Sequence, residues 1–214
     1  MSKLTDSLLS GSSGRVGRVV VTNVSGTEIL RHRPKRSSKP PTPKQLLIQS
    51  RFVRCGEFIE SYKGFAKKHF GQRFGLKSPF NHAITNLLNS HKLDYDTMEM
   101  TTEYSEIEFS KGSLLEPFPT GLSSPDPMSL EITWADNSAG DAERGTDKAQ
   151  ILYVVENARK SNFASNVATR SEGTVTLPLP MHLQGKTVHV WMTFLSADEE
   201  QVANSVYLGT VVIT

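Results

Sequence analysis

A single cysteine, Cys55, stands in 214 residues, so no internal disulfide can form, as fits synthesis in a reducing compartment. No histidine–asparagine or histidine–aspartate arrangement can be tied to that thiol, and its expected role is a small residue on a helix face. Long hydrophobic runs are missing as well. Stretches such as TVTLPLP fall far short of the roughly 20 residues that span a bilayer. The opening MSKLTDSLLSGSSG has no charged region followed by an apolar core. No membrane span is expected, and the expected location is the cytoplasm, or a particle or filament assembled from the chain.

Catalytic and metal-binding patterns are also lacking. The histidines His32, His69, His82, His91, His182 and His189 show neither H-E-x-x-H nor a Cys/His zinc spacing. His189 alternates with Val188 and Val190 and reads as a surface position on a strand. GSSGRVG has no preceding strand, no Lys-Ser/Thr ending and no following helix, so it fails both phosphate-loop templates. No G-x-S-x-G elbow occurs. The loop ADNSAGDAERGTDK carries Asp136, Asp141, Glu143 and Asp147 but departs from the EF-hand order, and a solvated loop is expected rather than a calcium site. The reading is of a non-enzyme with no cofactor and no metal.

Acidic residues are scarce in one part of the chain only. Residues 1 to 92 hold 17 Lys and Arg against 4 acidic side chains, a net +13, whereas residues 93 to 214 hold 7 against 18, a net −11. The formal charge of +2 conceals this division. It implies a polyanion bound at the basic end, or a complementary contact between the ends. With an apolar fraction of 37% and a charged fraction of 21%, most of the chain is expected to fold.

The expected architecture is α+β. GRVVVTNVSGTEILRHRP reads as a β-hairpin over Val19–Val24 and the residues around Ile29, turning at Ser25-Gly26. RHRPKRSSKPPTPKQ follows as a stiff basic strap, because residues ahead of Pro34, Pro40, Pro41 and Pro43 are pushed toward extended geometry. Thr42-Pro43 starts one helix through KQLLIQSRFVRCGEFIESYKGF, with Leu46, Phe52, Val53 and Ile59 as its apolar face, and Ser78-Pro79 starts another through FNHAITNLLNSHK. Between them KKHFGQRFGLK reads as an exposed basic loop. From about Tyr95 the period changes: SEIEFS, MSLEITWA, AQILYVVEN, GTVTLPLP, KTVHVWMTFLS and NSVYLGTVVIT are strands of an antiparallel immunoglobulin/fibronectin-like β-sandwich, with Trp134 and Trp191 in its core. The expected division is a basic arm, hairpin and helical region over 1–92 and an acidic sandwich over 93–214.

The segment from GSSGRVGRVVVTN to KPPTPKQLLIQSRF, together with the later asparagine-containing helix and the β-rich C-terminal half, resembles over most of the chain a family of bacterial proteins known only as a domain of unknown function. The resemblance rests on Gly14 and Gly17 around Val16, the hairpin with its Arg31-to-Pro34 exit, and Thr42 followed by Gln45 and Arg51-Phe52. It implies a similar layout and brings no activity, ligand or catalytic residue.

The candidate contact residues are therefore Arg15, Arg18, Arg31, Arg33, Lys35, Arg36, Lys39 and Lys44, with Glu103, Glu106, Glu108 and Glu116 as the acidic counter-surface. The leading expectation is a self-assembling structural protein, a virion-like or phage-derived shell, tube or filament subunit whose basic arm packs on the acidic sandwich of a neighbouring copy. The alternatives are a nucleic-acid-associated protein that binds phosphate backbones through its basic end, and a β-sandwich module that binds protein or carbohydrate.

Overall fold

The computed structural model describes residues 2–5, 9–24, 26–35 and 38–214. The chain divides into two compact units, Met1–Thr42 with Phe74–Leu76, and Pro43–Arg73 with Lys77–Thr214.

The first unit is a four-stranded antiparallel sheet. Its strands are β1 (Ser2–Lys3), β2 (Gly14–Val16), β3 (Val19–Val24) and β4 (Thr27–His32), in the order β1-β4-β3-β2. The expected hairpin is β3–β4, in register from Val19↔His32 to Val24↔Thr27. Gly26 supplies the positive φ, +83°, that the turn needs; Ser25 lies outside the described residues. The outer strands β1 and β2 are short and carry no alternating apolar pattern, which is why the sequence shows only the central pair. Among the described residues of this unit, Val21 is the single buried side chain.

The second unit holds the helices and the sandwich together. Helix α1 spans Pro43–Ile59, α2 Lys63–Lys68 and α3 Pro79–Ser90. Ser78 caps α3 by accepting from the Asn81 amide at 3.3 Å, with Pro79 at the first position. A short hairpin follows, β5 (His91–Asp94) and β6 (Glu99–Thr102). Then come β7 (Phe118–Ser123), β8 (Ser129–Ala135), the single turn α4 (Ala142–Gly145), β9 (Lys148–Val155), β10 (Asn162–Ala164), β11 (Thr174–Pro178), β12 (Thr187–Leu195) and β13 (Val206–Val212). They form a three-stranded sheet, β11-β8-β7, and a four-stranded sheet, β10-β9-β12-β13, every pairing antiparallel. This is the expected β-sandwich. SEIEFS does not contribute a strand; Tyr104–Glu106 form a 3-10 turn and the residues after it run as a loop.

Two hydrophobic clusters explain why the boundary does not fall at residue 92. Leu130, Ile132 and Trp134 of β8 meet Ile151 of β9 and Val188, Val190, Met192 and Phe194 of β12 between the sheets. The opposite face of the four-stranded sheet offers Leu152, Val154 and Trp191 to Phe58, Ile59, Tyr62, Phe70, Ala83 and Leu87 from the helical region. Both faces of β12 are thereby covered, and its residues Val188–Leu195 are all buried. An alternating strand buried on both faces carries no surface positions. His189, expected on the surface, is 7% exposed for this reason. The buried side of α1 is Cys55, Phe58 and Ile59; of the expected apolar face, Leu46, Phe52 and Val53 are exposed.

Candidate basic interaction surface

Register sorts the charges of the N-terminal sheet. Arg15 pairs with Val20, Val20 with Arg31, Lys3 with Ile29, and Ile29 with Thr22. Directly paired residues share a face of an antiparallel sheet, so Lys3, Arg15 and Arg31 project from one face, around Val20, Thr22 and Ile29. Glu28, paired with Asn23, is on the other face with Val19, Val21 and Leu30. Its carboxylate accepts the Gly11 amide at 2.6 Å. Arg18, in the β2–β3 turn, and Arg33, just past β4, meet at one end of the sheet, where the Arg33 amide donates to the Arg18 carbonyl at 2.8 Å. All five of these cations are exposed, as is Lys35. Among the described residues, no carboxylate lies within ion-pair distance of any of the six.

The structure thus brings together Arg15, Arg18, Arg31 and Arg33 of the expected cations. Lys39 is exposed on the strap, and Arg36 lies outside the described residues. Lys44 belongs to the second unit, in the first turn of α1, where its ammonium sits 5.5 Å from the Tyr95 ring centre. Lys3 was not legible as a member of the group: a two-residue strand pairing with Ile29 leaves no local signal.

The acidic counter-surface is partly spent within the molecule. Glu106 pairs with Lys92 at 2.6 Å and Glu108 with Lys111 at 3.8 Å, while Glu116 accepts from the Asn204 side-chain amide at 2.8 Å. Glu103 is exposed. A second acidic region comes from loops distant in sequence. Asp141, Glu143, Asp147 and Asp198 line a groove of about 440 Å³ with Leu114 and Arg144. Asp147 is buried there, and its Oδ2 accepts from Arg170 Nε at 3.1 Å and Nη2 at 2.9 Å. Arg170 is fully buried, donates to Asn137 and to the Leu115 carbonyl, and lies 4.0 Å over the Phe194 ring. Asp141 caps α4 through the Glu143 and Arg144 amides. These contacts give the loop a structural use, and among the described residues no three His, Cys, Asp or Glu side chains converge as metal ligands.

Two histidine clusters look chemical at first sight. The Cys55 thiol lies 3.9 Å from His91 Nδ1, but that nitrogen is 2.8 Å from the Leu87 carbonyl oxygen and donates to it. Burial pushes the thiol up to about 11 and the imidazole down, so at neutral pH the pair is a neutral thiol beside a neutral ring, not an activated nucleophile. His189 stacks on Tyr104 with ring centres 3.6 Å apart and shares a 2.8 Å hydrogen bond between Nδ1 and the Tyr207 hydroxyl. Burial lowers its pKa as well, leaving it a polar member of the packed aromatic layer.

The model of a family of unknown function, DUF6266, matches residues 11–209. The chain belongs to this family. No curated protein matches it. Solved structures similar to it include the fn3 domain of human collagen alpha-1(XX) chain, at 19% identity and a TM-score of 0.36, covering 49% of this chain and 88% of that one. The fn3 domain of human contactin 1 is similar at 12% identity and a TM-score of 0.33, covering 49% and 83%. No helix among the described residues is long and apolar enough to cross a membrane.

Proposed function

We propose that the chain is a non-enzymatic structural protein that assembles with copies of itself, as a subunit of a shell, tube or filament of the virion-like or phage-derived kind, with its N-terminal sheet as the assembling arm. One observation carries this reading: the N-terminal unit has a four-stranded sheet but only one buried side chain among its described residues. A sheet of short strands with so little core gains its stability by burying a face elsewhere. Charge favours a copy's second unit as the cover. The first unit carries 8 basic and 2 acidic residues, net +6, and the remainder 16 and 20, net −4. Attraction between the oppositely charged units draws them together over distance, while the face bearing Val16, Val19 and Leu30, which carries none of the strand cations and has Val16 64% exposed, makes the contact by apolar burial. A head-to-tail contact of this kind closes into rings or propagates.

Size-exclusion chromatography with light scattering, on nuclease-treated full-length protein at micromolar concentration, tests the reading. Oligomers that shrink in high salt, and that are lost in Val16→Asp, support it. A monomer at every salt concentration overturns it.

A further inference from the structure

We infer that the opposite face of the N-terminal sheet is a binding surface for the phosphate backbone of nucleic acid. Lys3, Arg15 and Arg31 are drawn from three strands onto that face by the pairings Lys3↔Ile29, Arg15↔Val20 and Val20↔Arg31. Strands lie about 4.8 Å apart, so Arg15 and Arg31, separated by β3, stand about 10 Å apart, with Lys3 on the far edge. Arg18 and Arg33 continue the cationic surface at the end of the sheet. The five charges come from both edges, the centre and one turn of a small sheet.

The surroundings favour a polyanion over simple solvation. Glu28 is on the other face and engaged by the Gly11 amide, so the unit's described carboxylate does not neutralise this face. Between the cations the surface is Val20, Thr22 and Ile29, all half-buried. That is a low, apolar floor on which a sugar-phosphate strand can lie while long side chains reach its phosphates from either side. Among the described residues, the strand positions on this face include no aromatic, Asn or Gln side chain to stack on bases or read their edges, so the contact is to the backbone, independent of sequence. The inference stands apart from the assembly reading, because the two use opposite faces of one sheet.

The test is fluorescence anisotropy of full-length protein with a labelled 20-base-pair duplex and, separately, the single strand, from 50 to 300 mM salt. Five backbone contacts predict a log–log salt slope of about −4.5 on the duplex, and Lys3→Gln/Arg15→Gln/Arg31→Gln reduces it by about 2.7. Arg15→Lys/Arg31→Lys keeps the slope, since a phosphate contact needs charge and not a planar fork. Lys67→Gln/Lys68→Gln/Lys160→Gln, which removes equal charge from the second unit, leaves binding unchanged; circular dichroism verifies that each variant is folded. Preference for single strand or duplex identifies which backbone the face fits. No binding at 50 mM salt, an equal loss in both triple variants, or full displacement by an equivalent concentration of polyglutamate overturns the inference, the last by pointing to an acidic protein surface. Loss of binding with oligomers intact, or the reverse, shows which face has failed.

Discussion

The two units reach order by different means. The second has two hydrophobic clusters on either side of β9 and β12 and a buried ion pair tying together loops around Asn137, Asp147 and Arg170. The first has backbone pairing, a single buried valine among its described residues and a surface of cations. Hydrogen bonds alone contribute little net stability, because water competes for the same groups. On the proposed reading, the region that keeps strand pairing with little core is the part that takes a partner, and the region with a filled core is the scaffold.

The largest expected break of this contrast is at the buried ion pair. Asp147→Ala strands the Arg170 guanidinium at 0% exposure and should cost about 3–5 kcal/mol, read as the midpoint shift in urea unfolding of the full chain. Arg170→Met with Asp147→Leu should recover most of that loss, since apolar residues fill the site without a charge.

Acidification should reveal the second unit next. Burial lowers the pKa values of His69, His91 and His189, so below about pH 6.5 the unfolded chain binds protons that the folded chain does not. Their contribution is complete above that value and lost as pH falls through the window down to the folded values, at up to about 1.4 kcal/mol per pH unit for each group. Urea unfolding at pH 7, 6 and 5 measures the slope. His189→Gln should flatten it, and a slope that does not change would remove His189 from the account.

The same contrast decided what could be read from sequence. The sandwich strands show themselves because inward residues such as Leu130, Ile132 and Trp134 alternate with Glu131 and Thr133. Ser78-Pro79 and the central hairpin carry local punctuation that structure reproduces. Long-range packing was not legible. Nothing local in α1 says that Cys55, Phe58 and Ile59 meet Trp191, so the boundary falls at residue 42, and the polarity of His189 concealed a strand covered on both faces. The cations of the candidate surface were legible as a cluster, but their sorting onto one face, and the entry of Lys3, depend on strand register.

Val21 sharpens the contrast at smaller scale. Truncation by Val21→Ala removes two buried methyl groups and should cost about 1–2 kcal/mol. Amide exchange is the informative readout. Faster exchange confined to β2, β3 and β4, with β9 and β12 unchanged, marks the N-terminal sheet as its own cooperative unit. Uniform acceleration across both units would erase the distinction.

The smallest effect is expected at the surface pair Lys92–Glu106, whose side chains are about half exposed. Solvent screens such a pair, so Lys92→Ala should change stability by no more than about 0.5 kcal/mol. It also leaves Glu106 uncompensated, which is useful. If Glu106 belongs to the surface that receives a neighbour's basic arm, low-salt association measured by light scattering should tighten in Lys92→Ala and loosen in Glu106→Gln, because the same carboxylate is freed in one variant and removed in the other. Equal association in both places the receiving surface elsewhere, with the acidic groove of Asp141, Glu143 and Asp198 as the next to neutralise.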